Sequence, residues 1–151
     1  MRAPRTAAVI GILGALIAAP SVSAGSTTQS TIRIEVQFSG GEEFFASGGV
    51  VCPHGTSSTE GSANFGGSKN IGRFTFHVVK TLVCDGDAGT LKLLVDVAQN
   101  ADGTGTNGGF RAGDGTGSMA GIRGGGQILG TNYPDGSGIT DIYTGRMTVA
   151  P

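Results

Sequence analysis

The sequence predicts an all-β protein, an antiparallel barrel of about eight short strands. Three observations carry this. Apolar residues recur at every second position in most of the chain beyond residue 31, glycine pairs and Asp-Gly steps separate these runs, and no segment beyond the N-terminal leader has helical periodicity. A sandwich is the alternative packing. Parallel βαβ units are excluded, because nothing in the pattern supplies a crossover helix. Closure is favoured because it removes strand edges, a liability where only 14% of residues are charged.

The chain opens with Arg2 and Arg5, an apolar run from Ala7 to Ala19, and a small-residue end at Val22-Ser23-Ala24. That order predicts a secretory signal peptide over residues 1–24, with cleavage after Ala24 and export from the cell. The apolar run is too short for a spanning helix, which needs roughly 20 residues, so no membrane insertion is expected of the mature chain. Residues 25–31 read as a flexible polar leader and residues 32–151 as one domain. With the signal removed, eight basic residues face eleven acidic ones, a net charge near −3. A mildly acidic chain without a basic run is a poor partner for nucleic acid.

The strands follow in order. Ile32, Ile34, Val36 and Phe38 alternate with polar residues, and Gly40-Gly41 turns the chain into a second run, Glu43 to Cys52, with Phe44, Ala46, Val50 and Cys52 in phase. Thr56 to Phe65 is small and polar and reads as a weak edge strand, followed by a Gly66-Gly67 loop. From Arg73 to Cys84, Phe74, Phe76, Val78, Leu82 and Cys84 share one face, opposite Thr75, His77 and Thr81. Asp85 to Gly89 is a turn, and Leu91, Leu93, Val95 and Val97 mark a fifth strand. Gln99 to Gly109 reads as a glycine-rich loop, with Phe110 anchoring a short strand. Asp114 to Gly130 then reads as a glycine-punctuated hairpin, with Gly115, Gly117, Gly121, Gly124 and Gly126 where backbone must turn or approach closely. Tyr133 to Gly136 is a turn. Ile139, Tyr143, Met147 and Val149 face inward on the last strand.

Export places Cys52 and Cys84 in an oxidising compartment, where a lone pair of cysteines forms a disulfide. The chain-entropy treatment gives roughly 3.5 to 4 kcal/mol for closing the intervening loop. The alternative is a nucleophilic Cys52 with His54 as its base, which requires a reduced thiol.

Cofactor motifs fail on context. Gly103 to Gly108 matches GxGxxG literally, but it opens no helix after a parallel strand and so provides no phosphate site. The aspartates before glycine are turn chemistry without a calcium-loop spacing. His54 and His77 lack partners at zinc spacing. No cofactor and no metal are expected.

One polar pattern stands out. Lys80 is in phase with Phe76, Val78 and Leu82, and Asp141 is in phase with Ile139, Tyr143 and Met147. Charges on an apolar face are costly unless paired or hydrated. In a closed sheet Lys80, Asp141 and Tyr143 can meet in the lumen and hold a ligand or perform acid–base chemistry. The structural alternatives are a position at the rim or a bulge that reverses the phase.

The hairpin Gly115-Thr-Gly117-Ser-Met119-Ala-Gly121-Ile-Arg-Gly124-Gly-Gly126 resembles that of small secreted bacterial proteins related to the allene oxide cyclase barrel, a group with the plant dirigent proteins among its relatives. Gly49 to Pro53, Phe74 to Cys84, Asp85 to Leu93 and Asp141 to Gly145 extend the likeness in the same order. Met119 and Phe110 replace the tyrosine and tryptophan usual in that hairpin. The resemblance implies an eight-stranded barrel with a lumen, and a cyclase-like isomerase activity in some members, without assigning catalytic residues here. Two functions follow as expectations: a non-catalytic secreted barrel that binds a small apolar ligand or a surface partner, and a cofactor-free isomerase that uses the lumen cluster.

Overall fold

The computed structural model describes residues 27–149 apart from Phe38, Gly49 and residues 66–73. The expected signal segment, Arg73 and the Gly66-Gly67 loop lie outside the described residues. The rest is a closed meander of eight antiparallel strands in sequence order, β1 (Thr27–Gln37), β2 (Glu42–Ser47), β3 (His54–Phe65), β4 (Phe74–Cys84), β5 (Thr90–Gln99), β6 (Gly105–Gly113), β7 (Ile122–Asn132) and β8 (Gly138–Val149). β8 returns to β1 over eleven register pairs, from Thr27 opposite Thr148 to Gln37 opposite Gly138, and this pairing closes the barrel.

Where hydrophobic alternation is strong, strand and phase agree with the expectation. In β5 Leu91, Leu93 and Val95 are buried and Lys92, Leu94 and Asp96 are exposed. The turns at Asp85–Asp87 and Tyr133–Gly136 form as expected, the second held by the Gly136 amide bonded to the Tyr133 carbonyl at 3.0 Å.

Three expectations are corrected and one is lengthened. The leader becomes strand from Thr27 onward, because β8 supplies its partners, and small polar residues such as Ser30 face inward there without any apolar signal. The second strand ends at Ser47, not Cys52. Gly48 turns the chain at φ +109°, and a Cβ there would lie 2.2 Å from the Gln29 carbonyl oxygen. Val51 still buries itself from the loop. The weak edge strand expected at 56–65 forms, two residues longer as His54–Phe65; it pairs β4 from Gly55 to Phe65 but β2 only from His54 to Thr56. The loop expected at 99–109 is strand from Gly105. Gly105 and Gly108 are sites of close strand approach, with added Cβ atoms 2.0 and 2.1 Å from carbonyl oxygens of Gly130 and Asp96.

The glycine hairpin divides into two parts. Gly115, Gly117 and Gly121 belong to the β6–β7 connection, which contains a short 3₁₀ turn, Gly117–Met119, while Gly124 and Gly126 lie in β7. The connection folds over one end of the barrel. Ser118 donates its amide and its hydroxyl to the Ala88 carbonyl, each at 2.8 Å, and the Thr116 amide bonds the Thr90 carbonyl. Met119 is thereby driven inward to 1% exposure, its Sδ 3.7 Å from Cys84 Sγ.

Below this cap the core is dense. Ile32, Phe44, Leu82, Leu91, Leu93, Ile122 and Met147 are fully buried. Cys52 and Cys84 are bonded, with Cα atoms 6.0 Å apart. Cys52 sits in the β2–β3 loop and not on a strand face. With its sulfur engaged and His54 Nδ1 2.6 Å from Asp85 Oδ2, the Cys52–His54 nucleophile pair is not formed.

Candidate functional site

The opposite end of the barrel is built differently. A cavity of about 710 Å³ occupies the lumen at the end that carries the β1–β2, β5–β6 and β7–β8 turns. Its walls are residues of all eight strands, among them Val36, Phe76, Val78, Val95, Val97 and Ile139. The volume lies within the roughly 300 to 1,000 Å³ that suits a small ligand.

Lys80, Asp141 and Tyr143 meet at its floor. β4 and β8 stand four strands apart in either direction round the ring, so they face one another across the lumen. Lys80 projects inward, 4% exposed, and its Nζ reaches 3.9 Å from Asp141 Oδ2. The Tyr143 hydroxyl lies 3.5 Å from the same oxygen, a long and weak donor contact. The Tyr143 ring is held edge-on against Phe110, with centroids 5.3 Å apart.

A fourth member, Glu42, was not anticipated. Its Oε2 is 3.0 Å from Lys80 Nζ and accepts from Ser57 Oγ at 2.6 Å, and its Oε1 accepts from Thr59 Oγ1 at 2.5 Å. The register explains the convergence, since Thr59 is directly opposite Lys80, and Glu42 is one step beyond the Glu43–Thr56 pair. The signal was present in the sequence. Glu42 has the same parity as Phe44 and Ala46, one position ahead of the predicted strand.

These surroundings separate the two carboxyls. Burial pushes Glu42 up, but the Ser57 and Thr59 hydroxyls and the Lys80 ammonium more than offset this and hold it below the ordinary glutamate range. Asp141 goes the other way. Burial raises it, Lys80 opposes, and the Glu42 charge adds to the rise. Burial and the two neighbouring carboxylates keep the Tyr143 phenol protonated well beyond its usual range.

Room for Asp141 comes from β7. Gly130 is its register partner, and a Cβ there would lie 2.6 Å from Asp141 Oδ1 and 2.4 Å from Thr106 Oγ1. The last glycine of the Asp114–Gly130 stretch thus shapes the site.

A second polar row crosses the outer wall, with Ser62 opposite His77 and His77 opposite Asp96, His77 Nδ1 lying 2.6 Å from Asp96 Oδ1. All three are exposed. The ladder already uses β4 backbone on both sides, and the row reads as an exposed polar contact on the outer wall.

Comparison with protein-family models, curated proteins and solved structures yields no match to this chain.

Proposed function

We propose that this chain is a secreted, non-catalytic barrel that holds a small, largely apolar molecule in the upper half of its lumen. One observation carries the reading: an apolar-walled cavity of about 710 Å³ ends on a buried cluster of charged groups. Apolar walls supply most of the binding free energy, at roughly 25 cal/mol per Å² removed from water, and a few convergent polar groups orient the guest. The Cys52–Cys84 bond suits an extracellular setting. Membership of the allene oxide cyclase and dirigent-like group is part of the proposal, supported by the eight-stranded closed meander and the glycine-rich β6–β7 connection.

Native mass spectrometry of the protein purified from the producing cells' medium tests the reading, together with titration of a neutral environment-sensitive dye. A bound molecule, or dye binding abolished by Val97→Phe, is the expected result. An empty lumen that takes up no dye overturns it.

A second reading, a cofactor-free isomerase, draws on Asp141, which burial equips to keep a proton while facing an apolar cavity. It requires that Asp141→Asn abolish turnover of a bound substrate without weakening its binding.

A further inference from the structure

We infer that the lumen selects an apolar molecule carrying a cationic amine and rejects the corresponding carboxylate, with Asp141 as the group that receives the ammonium. The inference rests on the lumen reading above and names its ligand class.

The argument begins with charge. Lys80 and Glu42 form a contact at 3.0 Å, and Glu42 is clamped from two further sides by Ser57 and Thr59. Their charges cancel. Glu42 cannot easily swing away to free Lys80 for an incoming carboxylate, since it would leave three donors behind. The remaining charge of the cluster is that of Asp141. With Asp141 ionised the floor is therefore net negative by one. A cationic guest brings the total to zero, whereas an anionic guest doubles the imbalance in a site shielded from water.

The second step concerns individual atoms. Among the described residues, the ion-pair and hydrogen-bond contacts of Asp141 all fall on Oδ2, at 3.9 Å from Lys80 and 3.5 Å from Tyr143. Both are long, so this carboxylate is poorly compensated for a buried one. Oδ1 lies instead against Gly130, as Thr106 Oγ1 also does, and both Thr106 and Asp141 line the cavity. An ammonium has three donors. Asp141 Oδ1 and Thr106 Oγ1 provide two acceptors for it on the same wall, while its alkyl body runs upward between Val78, Val97 and Phe76. A charge-assisted bond of this kind is about twice as strong as one between neutral groups.

Three guests of one chain length separate the possibilities: decylamine, decanol and decanoate, titrated calorimetrically at about pH 8, where the amine is cationic and the acid anionic. We expect decylamine to bind at least roughly tenfold more tightly than decanoate, equivalent to about 1.4 kcal/mol, with decanol between them. Asp141→Asn should erase the preference, bringing decylamine and decanoate to within about a factor of three of each other. The wild-type ranking needs no variant to fold. Decanol binding with equal or stronger binding of decanoate than of decylamine overturns the inference and leaves the lumen reading standing. Failure of all three guests to bind overturns both.

Discussion

The two halves of this barrel share the same eight strands and the same alternation of side chains, yet they are filled by opposite means. In the lower half Phe44, Leu82, Leu91, Leu93 and Met147 interdigitate, Met119 plugs the end and the disulfide ties β4 to the β2–β3 loop. The upper half keeps a cavity of about 710 Å³ and a buried cluster of ionisable groups. A packed core stabilises, whereas empty volume and desolvated charge cost free energy. The lower half therefore carries the stability that lets the upper half remain open, and the strands run through both as rigid staves. Function in such a molecule belongs where stability has been given up.

This contrast can be broken most severely from below. Replacing both Cys52 and Cys84 by alanine removes the tie and should lower unfolding free energy by about 2 to 5 kcal/mol, measured by denaturant titration. A loss below about 1 kcal/mol would show that the cap and core suffice alone.

Next in size is a matched pair of insertions. Ala112→Phe, in the packed half, should cost roughly 1 to 3 kcal/mol through overpacking. Val97→Phe, on the cavity wall, should change stability by less than about 1 kcal/mol while blocking dye uptake. Equal costs at the two positions would mean that the halves are not differently packed.

Ser30 offers a smaller test. The residue is 1% exposed, and its hydroxyl finds no hydrogen-bond partner among the described residues. Ser30→Ala should stabilise the protein by about 1 kcal/mol, seen as a higher Tm, because the desolvation penalty disappears with the oxygen.

The last effect is a slope with pH. Asp141 is raised from 3.8 when folded, so the native state holds the proton more tightly than the unfolded chain does. Its contribution to stability is present below pH 3.8 and falls as pH rises through the folded value. Glu42 has the opposite sign. Lowered from 4.5, it stabilises above that pH, and the contribution is lost as pH falls through its folded value. Asp141→Asn should flatten the decline that sets in as pH rises above 3.8 and leave the acid limb set by Glu42 intact, which paired melting curves across pH will show.

The sequence read most clearly where side chains differ sharply in polarity. β5 was legible residue by residue, because Leu91, Leu93 and Val95 alternate with charged or exposed positions. β6 was not, since Gly105, Gly108 and Gly109 have no side chain to mark a face, and strand could not be told from loop. The first half of β1 was hidden for a related reason: Thr27 to Ser30 pair with β8 alone and become strand only when it lies alongside. The site divides the same way. Lys80 and Asp141 were conspicuous because a charge in an apolar phase needs a partner, while Glu42 lies one residue outside its predicted strand.

What the sequence by itself determined is local: which residues alternate, where the chain turns, and that two charges face inward. Closure was decided only by the tertiary structure, through the pairing of β1 with β8, chain ends more than a hundred residues apart. From closure follow the opposition of β4 and β8 and the 3.9 Å approach of Lys80 to Asp141, with Glu42 at 3.0 Å from Lys80. The physical reason is that periodicity assigns a side chain to a face, whereas its neighbours across a lumen depend on strand number and register, which are properties of the whole ring.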